Sequence, residues 1–237
     1  MSMIINPYRF GAAGDPHWAN VVYLALFEGS NGSTTIIDSS SSAHAITAAG
    51  DAKLVTYVKK FGVSSLFFDG WQDWIWSPNS PDFQLGAGDF TLEFWYQPSG
   101  SGGISGVKQI INSASAPNTN NSYAISTNGT SLLYYLSSTG STWDIANGVS
   151  IGTVATNNWY HIALVRDGNT FRPFLNGTQG TTTVSSASLF ANTGDFRWGM
   201  YNNSGYVVGY FDSIRLTKNV ARYTANFTPP SEDFPDF

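Results

Sequence analysis

Cysteine is absent from the 237 residues, so this chain uses neither disulfides nor thiolate-held zinc. Charge is scarce as well: 11% of residues are Asp, Glu, Lys or Arg, and they sum to −5. Lys59 and Lys60 form the only adjacent basic pair. A phosphate backbone is held by many Lys and Arg side chains, so this balance argues against nucleic acid as a partner. No apolar run approaches the ~18 residues of a membrane span, and membrane insertion is not expected. The N-terminus lacks a charged start followed by a long apolar stretch, so no signal peptide is expected. Nowhere do apolar residues recur at i, i+3, i+4, i+7 over three turns. One short helical turn is expected, near Val220–Tyr223.

What is present suits strands. Hydrophobic residues make up 42% and aromatic residues 15%, enough for a sizeable core on pleated surfaces. Short apolar runs at Val21–Phe27, Leu66–Phe68, Phe90–Tyr96, Ser131–Leu136, Trp159–Arg166, Phe171–Leu175 and Tyr206–Thr217 are divided by Gly, Asn, Asp and Ser. In Phe90–Tyr96, Phe90, Leu92, Phe94 and Tyr96 share one face, while Thr91, Glu93 and Trp95 share the other. Asp167-Gly168-Asn169-Thr170 reads as a hairpin loop, and Asn176-Gly177 as a tight turn with positive φ at both centres. Many short strands with regular turn signals predict an all-β sandwich or barrel. Residues 1–17 form an N-terminal arm broken by Pro7, Gly11, Gly14 and Pro16, and residues 18–237 form one domain. The arm packs on its own domain or contacts a neighbouring subunit.

Three stretches carry a family resemblance. The first runs from Leu66-Phe67-Phe68-Asp69-Gly70 through Asp73-Trp74-Ile75 to Gly88-Asp89-Phe90-Thr91-Leu92-Glu93-Phe94-Trp95. The second is Trp159-Tyr160-His161-Ile162-Ala163-Leu164-Val165-Arg166-Asp167-Gly168, followed by Phe174-Leu175-Asn176-Gly177-Thr178. The third is Gly209-Tyr210-Phe211-Asp212-Ser213-Ile214-Arg215-Leu216-Thr217, then Val220 to Pro230. Together they resemble the concanavalin A-like lectin/glucanase superfamily in its laminin-G-like branch, which implies a jelly-roll sandwich of two curved antiparallel sheets. The closing Ala221-Arg222-Tyr223-Thr224-Ala225-Asn226-Phe227-Thr228-Pro229-Pro230 and the opening Asn6-Pro7-Tyr8-Arg9-Phe10 resemble segments of bacteriophage virion proteins. That setting implies a location on the virion, other virion proteins as partners and a homo-oligomer.

Hydrolytic members of the superfamily carry alternating acids on one strand. Here the only glutamates are Glu28, Glu93 and Glu232, none followed by a matching acid pair, and the three histidines lie far apart. His161 reads as a packed strand residue, and no enzymatic activity is expected. Trp71, Trp74 and Trp76 fall within six positions. With Ile75 inward, Trp74 and Trp76 share the outer face and Trp71 lies in the preceding turn. Exposed, they would stack on sugar rings of a host-surface glycan or anchor a protein contact; otherwise they pack in a second layer. Tyr201 and Tyr206, with the loop at Asn118–Tyr123, form a second candidate surface. On the last strand, alternation places Asp212 on the side of Ile214 and Leu216, where a buried carboxylate needs a cation or several donors. The resemblance implies structural Ca²⁺ near this position, with Asp212 as its candidate ligand. A bacterial carbohydrate-binding module is the alternative to a virion component, and a hydrolase or lyase with an atypical site is the third reading.

Overall fold

The computed structural model describes residues 14–114, 121–200 and 205–237. In chain order the strands are β1 (Val21–Ala25), β2 (Thr47–Ala49), β3 (Lys53–Val55), β4 (Ser65–Asp69), β5 (Trp74–Ser77), β6 (Phe90–Pro98), β7 (Val107–Ala114) and β8 (Tyr123–Asn128). They continue as β9 (Ser131–Leu136), β10 (Ala146–Thr153), β11 (Tyr160–Asp167), β12 (Thr170–Leu175), β13 (Thr178–Gln179), β14 (Thr183–Val184), β15 (Asp195–Trp198) and β16 (Val208–Lys218).

Two antiparallel sheets result. The first runs β13-β12-β11-β6-β16-β4-β3, with β1 added beside β16 and β14 beside β12; the second runs β10-β9-β8-β7-β15-β5-β2. They pack face to face. Leu92, Phe94, Tyr96, Ile162, Leu164, Phe211, Ile214 and Leu216 fill the inner face of the first sheet, against Ile75, Ile111, Ile125, Tyr134, Phe196 and Trp198 of the second. Phe94 meets Trp198 edge to face across the gap, with centroids 5.0 Å apart. This is the sandwich that the resemblance implies.

Turn chemistry falls where the residues place it. β11 and β12 close around Gly168 and Asn169, and Asn176 and Gly177 take φ of +49° and +75°. Their positive φ matches the right-handed twist of the flanking strands. Two expectations need correction. Val220–Tyr223 is no helical turn but extended chain, because Ala221 and Tyr223, with Phe227 beyond them, dock on Ala163, Val165 and Phe174 of the first sheet's outer face. The second correction is Asp212. The pairing of β16 with β6 slips between Asp212 and Arg215, so Asp212 lies opposite Trp95 and Arg215 opposite Glu93. Ser213 absorbs the extra residue at φ +45°. Strict alternation fails there, and Asp212 shares its face with Arg215 rather than with Ile214 and Leu216.

Candidate functional site

The outer face of the first sheet is sealed. Glu93 on β6 is fully buried, and both its oxygens are engaged. Arg215 Nε and Nη2 donate to Oε1 at 2.9 and 2.7 Å. Tyr223 Oη donates to Oε2 at 2.8 Å, and His161 Nε2 lies 3.1 Å from that same atom. Arg215 Nη1 and Arg222 Nη2 both donate to Asp15 Oδ2, at 2.8 and 2.7 Å. Phe234 covers the Arg215 guanidinium at 4.0 Å. Burial alone would raise the Glu93 pKa, but Arg215 and the His161 contact outweigh it and hold the carboxyl at about 2. The partners come from segments 14–17 and 219–237, which strap the sheet. No substrate reaches a carboxylate so enclosed, and the network is structural. His161 is a packed strand residue with 0% exposure.

Asp212 is also buried, beside this network. Its Oδ2 accepts the amides of Lys60 and Phe61 at 2.8 and 3.2 Å. Desolvation, aided by nearby Asp233 and Glu28, pushes its pKa up to about 8, so it is neutral at pH 7. A neutral acid whose oxygen already takes two N–H groups is a poor cation ligand. Among the described residues, carboxylate oxygens converge elsewhere. Those of Asp51, Asp69 and Asp73 lie within 4.8 Å of one another at the rim of the sandwich. They are the residues with geometry suited to an oxygen-seeking cation. Two amides already occupy this rim, since Asp51 N and Asp69 N donate to Asp73 Oδ1 and Oδ2 at 2.8 and 2.9 Å. Burial lifts the Asp73 pKa to about 6. Asp69 Oδ1 in turn accepts from Trp71 N at 2.7 Å, which shapes the turn that presents Trp71.

The outer face of the second sheet is open. Ile75 enters the core with 0% exposure, while Trp74 and Trp76 are half-buried on the opposite face, as alternation requires. Trp71 is 74% exposed. Tyr206 stacks on Trp74 with centroids 6.2 Å apart at 25°. Thus the structure joins four of the sequence candidates, Trp71, Trp74, Trp76 and Tyr206, at one edge. Tyr201 and residues 118–120 lie outside the described residues. The sheet also bears Gln109, Asn112, Ser126, Tyr135 and Arg197, which sequence reasoning missed because only register brings them together. Asp195 is the one carboxylate in its seven strands, and Arg197 Nη2 donates to it at 2.8 Å. Glycoside cleavage by the usual route needs two facing carboxylates about 5–9.5 Å apart. These strands supply one. The face suits stacking and hydrogen bonding.

With this geometry in view, comparisons with known proteins place the chain. It matches the concanavalin A-like lectin/glucanases superfamily over residues 69–222, and it belongs to that superfamily. Solved structures with a similar fold include the binding domain of Paraclostridial Mosquitocidal Protein 1, at 13% identity and TM-score 0.68, covering 86% of this chain and 50% of that one. The receptor-binding domain of botulinum neurotoxin type G is 12% identical with TM-score 0.62, over 84% of this chain and 47% of that one. That of botulinum neurotoxin D is 12% identical with TM-score 0.64, over 86% and 50%. The chain therefore spans about half the length of these structures. No curated protein matches it. Among the described residues no helix is long and apolar enough to cross a membrane.

Proposed function

We propose that this chain is a non-catalytic binding module that holds glycan at the aromatic edge of its open sheet. One observation carries the reading: Trp74, Trp76 and Tyr206, with Trp71 beside them, stand on a face whose strands contain a single, ion-paired carboxylate. Aromatic rings stack on the apolar faces of sugars, and their polar edges hydrogen-bond at the rim. Similar solved structures are titled as receptor-binding or binding domains, which agrees with a contact role.

The setting that the opening and closing segments support is a bacteriophage particle, where the module acts as a fibre, spike or decorating protein. It would there contact neighbouring virion proteins as a homo-oligomer and host-surface glycan through the open sheet. A bacterial adhesion module would use the same face. Two experiments test this. A glycan array with the intact chain should give hits that the double variant Trp71→Ala/Trp76→Ala loses, with the melting temperature held within a few degrees. Binding that survives the double variant removes this edge from the site. Co-purification with phage particles separates the two settings, and a chain found only on bacterial surfaces would rule out the virion role.

A further inference from the structure

A second aromatic pair stands on the open sheet, several strands from the tryptophan edge. Tyr135 on β9 and Trp143 in the following loop lie 5.4 Å apart, their rings tilted by 54°. With Val107, Gln109 and Ser126 they line a groove of about 230 Å³. Register joins this groove to the tryptophans in one line: Trp76 faces Arg197, Arg197 faces Asn112, Asn112 faces Ala124, and Ala124 faces Tyr135. Directly paired residues project from the same face of a sheet, so the five side chains form a single row perpendicular to the strands. Strands spaced by ~4.8 Å put the two ends about 19 Å apart. The span fits several sugar rings in a chain and exceeds one.

The middle of the row is low and polar. Ala124 is short, and Arg197 is drawn to Asp195, which cancels its charge. Asn112 is 7% exposed; its Nδ2 donates to Gln109 Oε1 at 3.5 Å, and its Oδ1 has no partner. A buried carbonyl oxygen left without a donor is rare, and here it lies on the ligand-facing side. Hydroxyl groups supply such donors, and flat C–H faces suit the rings at both ends.

We infer that a linear, uncharged polysaccharide lies across the strands of the open sheet, from Trp76 to the Tyr135–Trp143 pair, with one sugar hydroxyl donating to Asn112 Oδ1. This rests on the glycan-binding reading and adds the ligand's length, charge and direction.

Titration calorimetry of the intact chain tests it against soluble β-glucan, xylan, mannan and galactan, their hexasaccharides and disaccharides, and a polyuronic acid. The hexasaccharide of the preferred polymer should bind at least about tenfold tighter than its disaccharide. Trp143→Ala should erase that gain and leave the disaccharide affinity unchanged. Val107→Arg, at an exposed position on the groove wall, should do the same and serves as the handle should Trp143→Ala fail to fold. Asn112→Ala should weaken hexasaccharide binding by a smaller factor. Equal affinity for both lengths, or a length gain that persists in Trp143→Ala and Val107→Arg, overturns the inference while glycan binding at Trp76 stands. Preference for the polyuronic acid overturns the uncharged class. Absence of any glycan binding defeats the functional reading itself.

Discussion

On the outer face of the first sheet, Ala163, Glu93 and Arg215 stand side by side across three strands, under a lid made by the chain's own ends. On the outer face of the second, Tyr135, Ala124, Asn112, Arg197 and Trp76 stand across five strands under no such lid among the described residues. Both rows follow from the same pairing rule, yet they are finished in opposite ways. The lidded row uses full charges, because a carboxylate in a dry site is tolerable only when guanidinium and hydroxyl groups saturate it. The uncovered row avoids full charge and relies on rings, amides and a small residue, which lose little hydration when a ligand arrives. Stability is concentrated on one side of the molecule and recognition on the other.

That contrast can be broken from the lidded side first. Glu93→Ala leaves Arg215 buried without its main partner and should cost about 3–5 kcal/mol, lowering the melting temperature by roughly 6–20 °C. Hydrogen exchange should rise most in residues 219–237, and glycan affinity of the folded fraction should hold. Next in size is Gly177→Ala. A Cβ at that position, where φ is +75°, would fall 1.8 Å from the carbonyl oxygen of Phe227. Strain and displacement of the lid should cost about 1–3 kcal/mol, read by denaturant unfolding.

Acidity sharpens the comparison. The Glu93 carboxyl is held at about 2, below its unfolded value of ~4.3, so its contribution is complete above that value. It fades as pH falls through about 2, and lid protection measured by exchange should fade with it. Asp212 behaves in the reverse sense. Its folded value of about 8 lies above the unfolded ~3.9, so its contribution is complete below ~3.9 and is lost as pH rises through about 8. Asp212→Asn should therefore melt close to the parent at pH 4 and a few degrees higher at pH 8. The smallest effect on stability belongs to the open side. Trp76→Ala should shift unfolding by about 1 kcal/mol or less while weakening glycan binding about tenfold or more.

The fold was legible wherever neighbours in sequence decide the structure. Alternation in Phe90–Tyr96 and Ser131–Leu136 marked strands, and Asn176-Gly177 marked a turn, because the physics is local. The outward tryptophans followed from the same rule. The partners of Glu93 were not legible, since His161, Arg215 and Tyr223 arrive from 68, 122 and 130 positions away. Nor was the row from Trp76 to Tyr135, which depends on five strands in register. Asp212 was placed on the wrong face because the slip occurs at a serine, and serine carries none of the bulge signal that a glycine would.

The slip at Ser213 makes length, more than identity, the constrained property of the last strand. Phe211 and Ile214 both enter the core although they are three positions apart, which uninterrupted alternation forbids. Removing one residue there would keep every side chain upstream in place and turn every one downstream over, driving Arg215 into hydrocarbon and Leu216 out of it. At this point the chain tolerates exchange of a letter far better than loss of one.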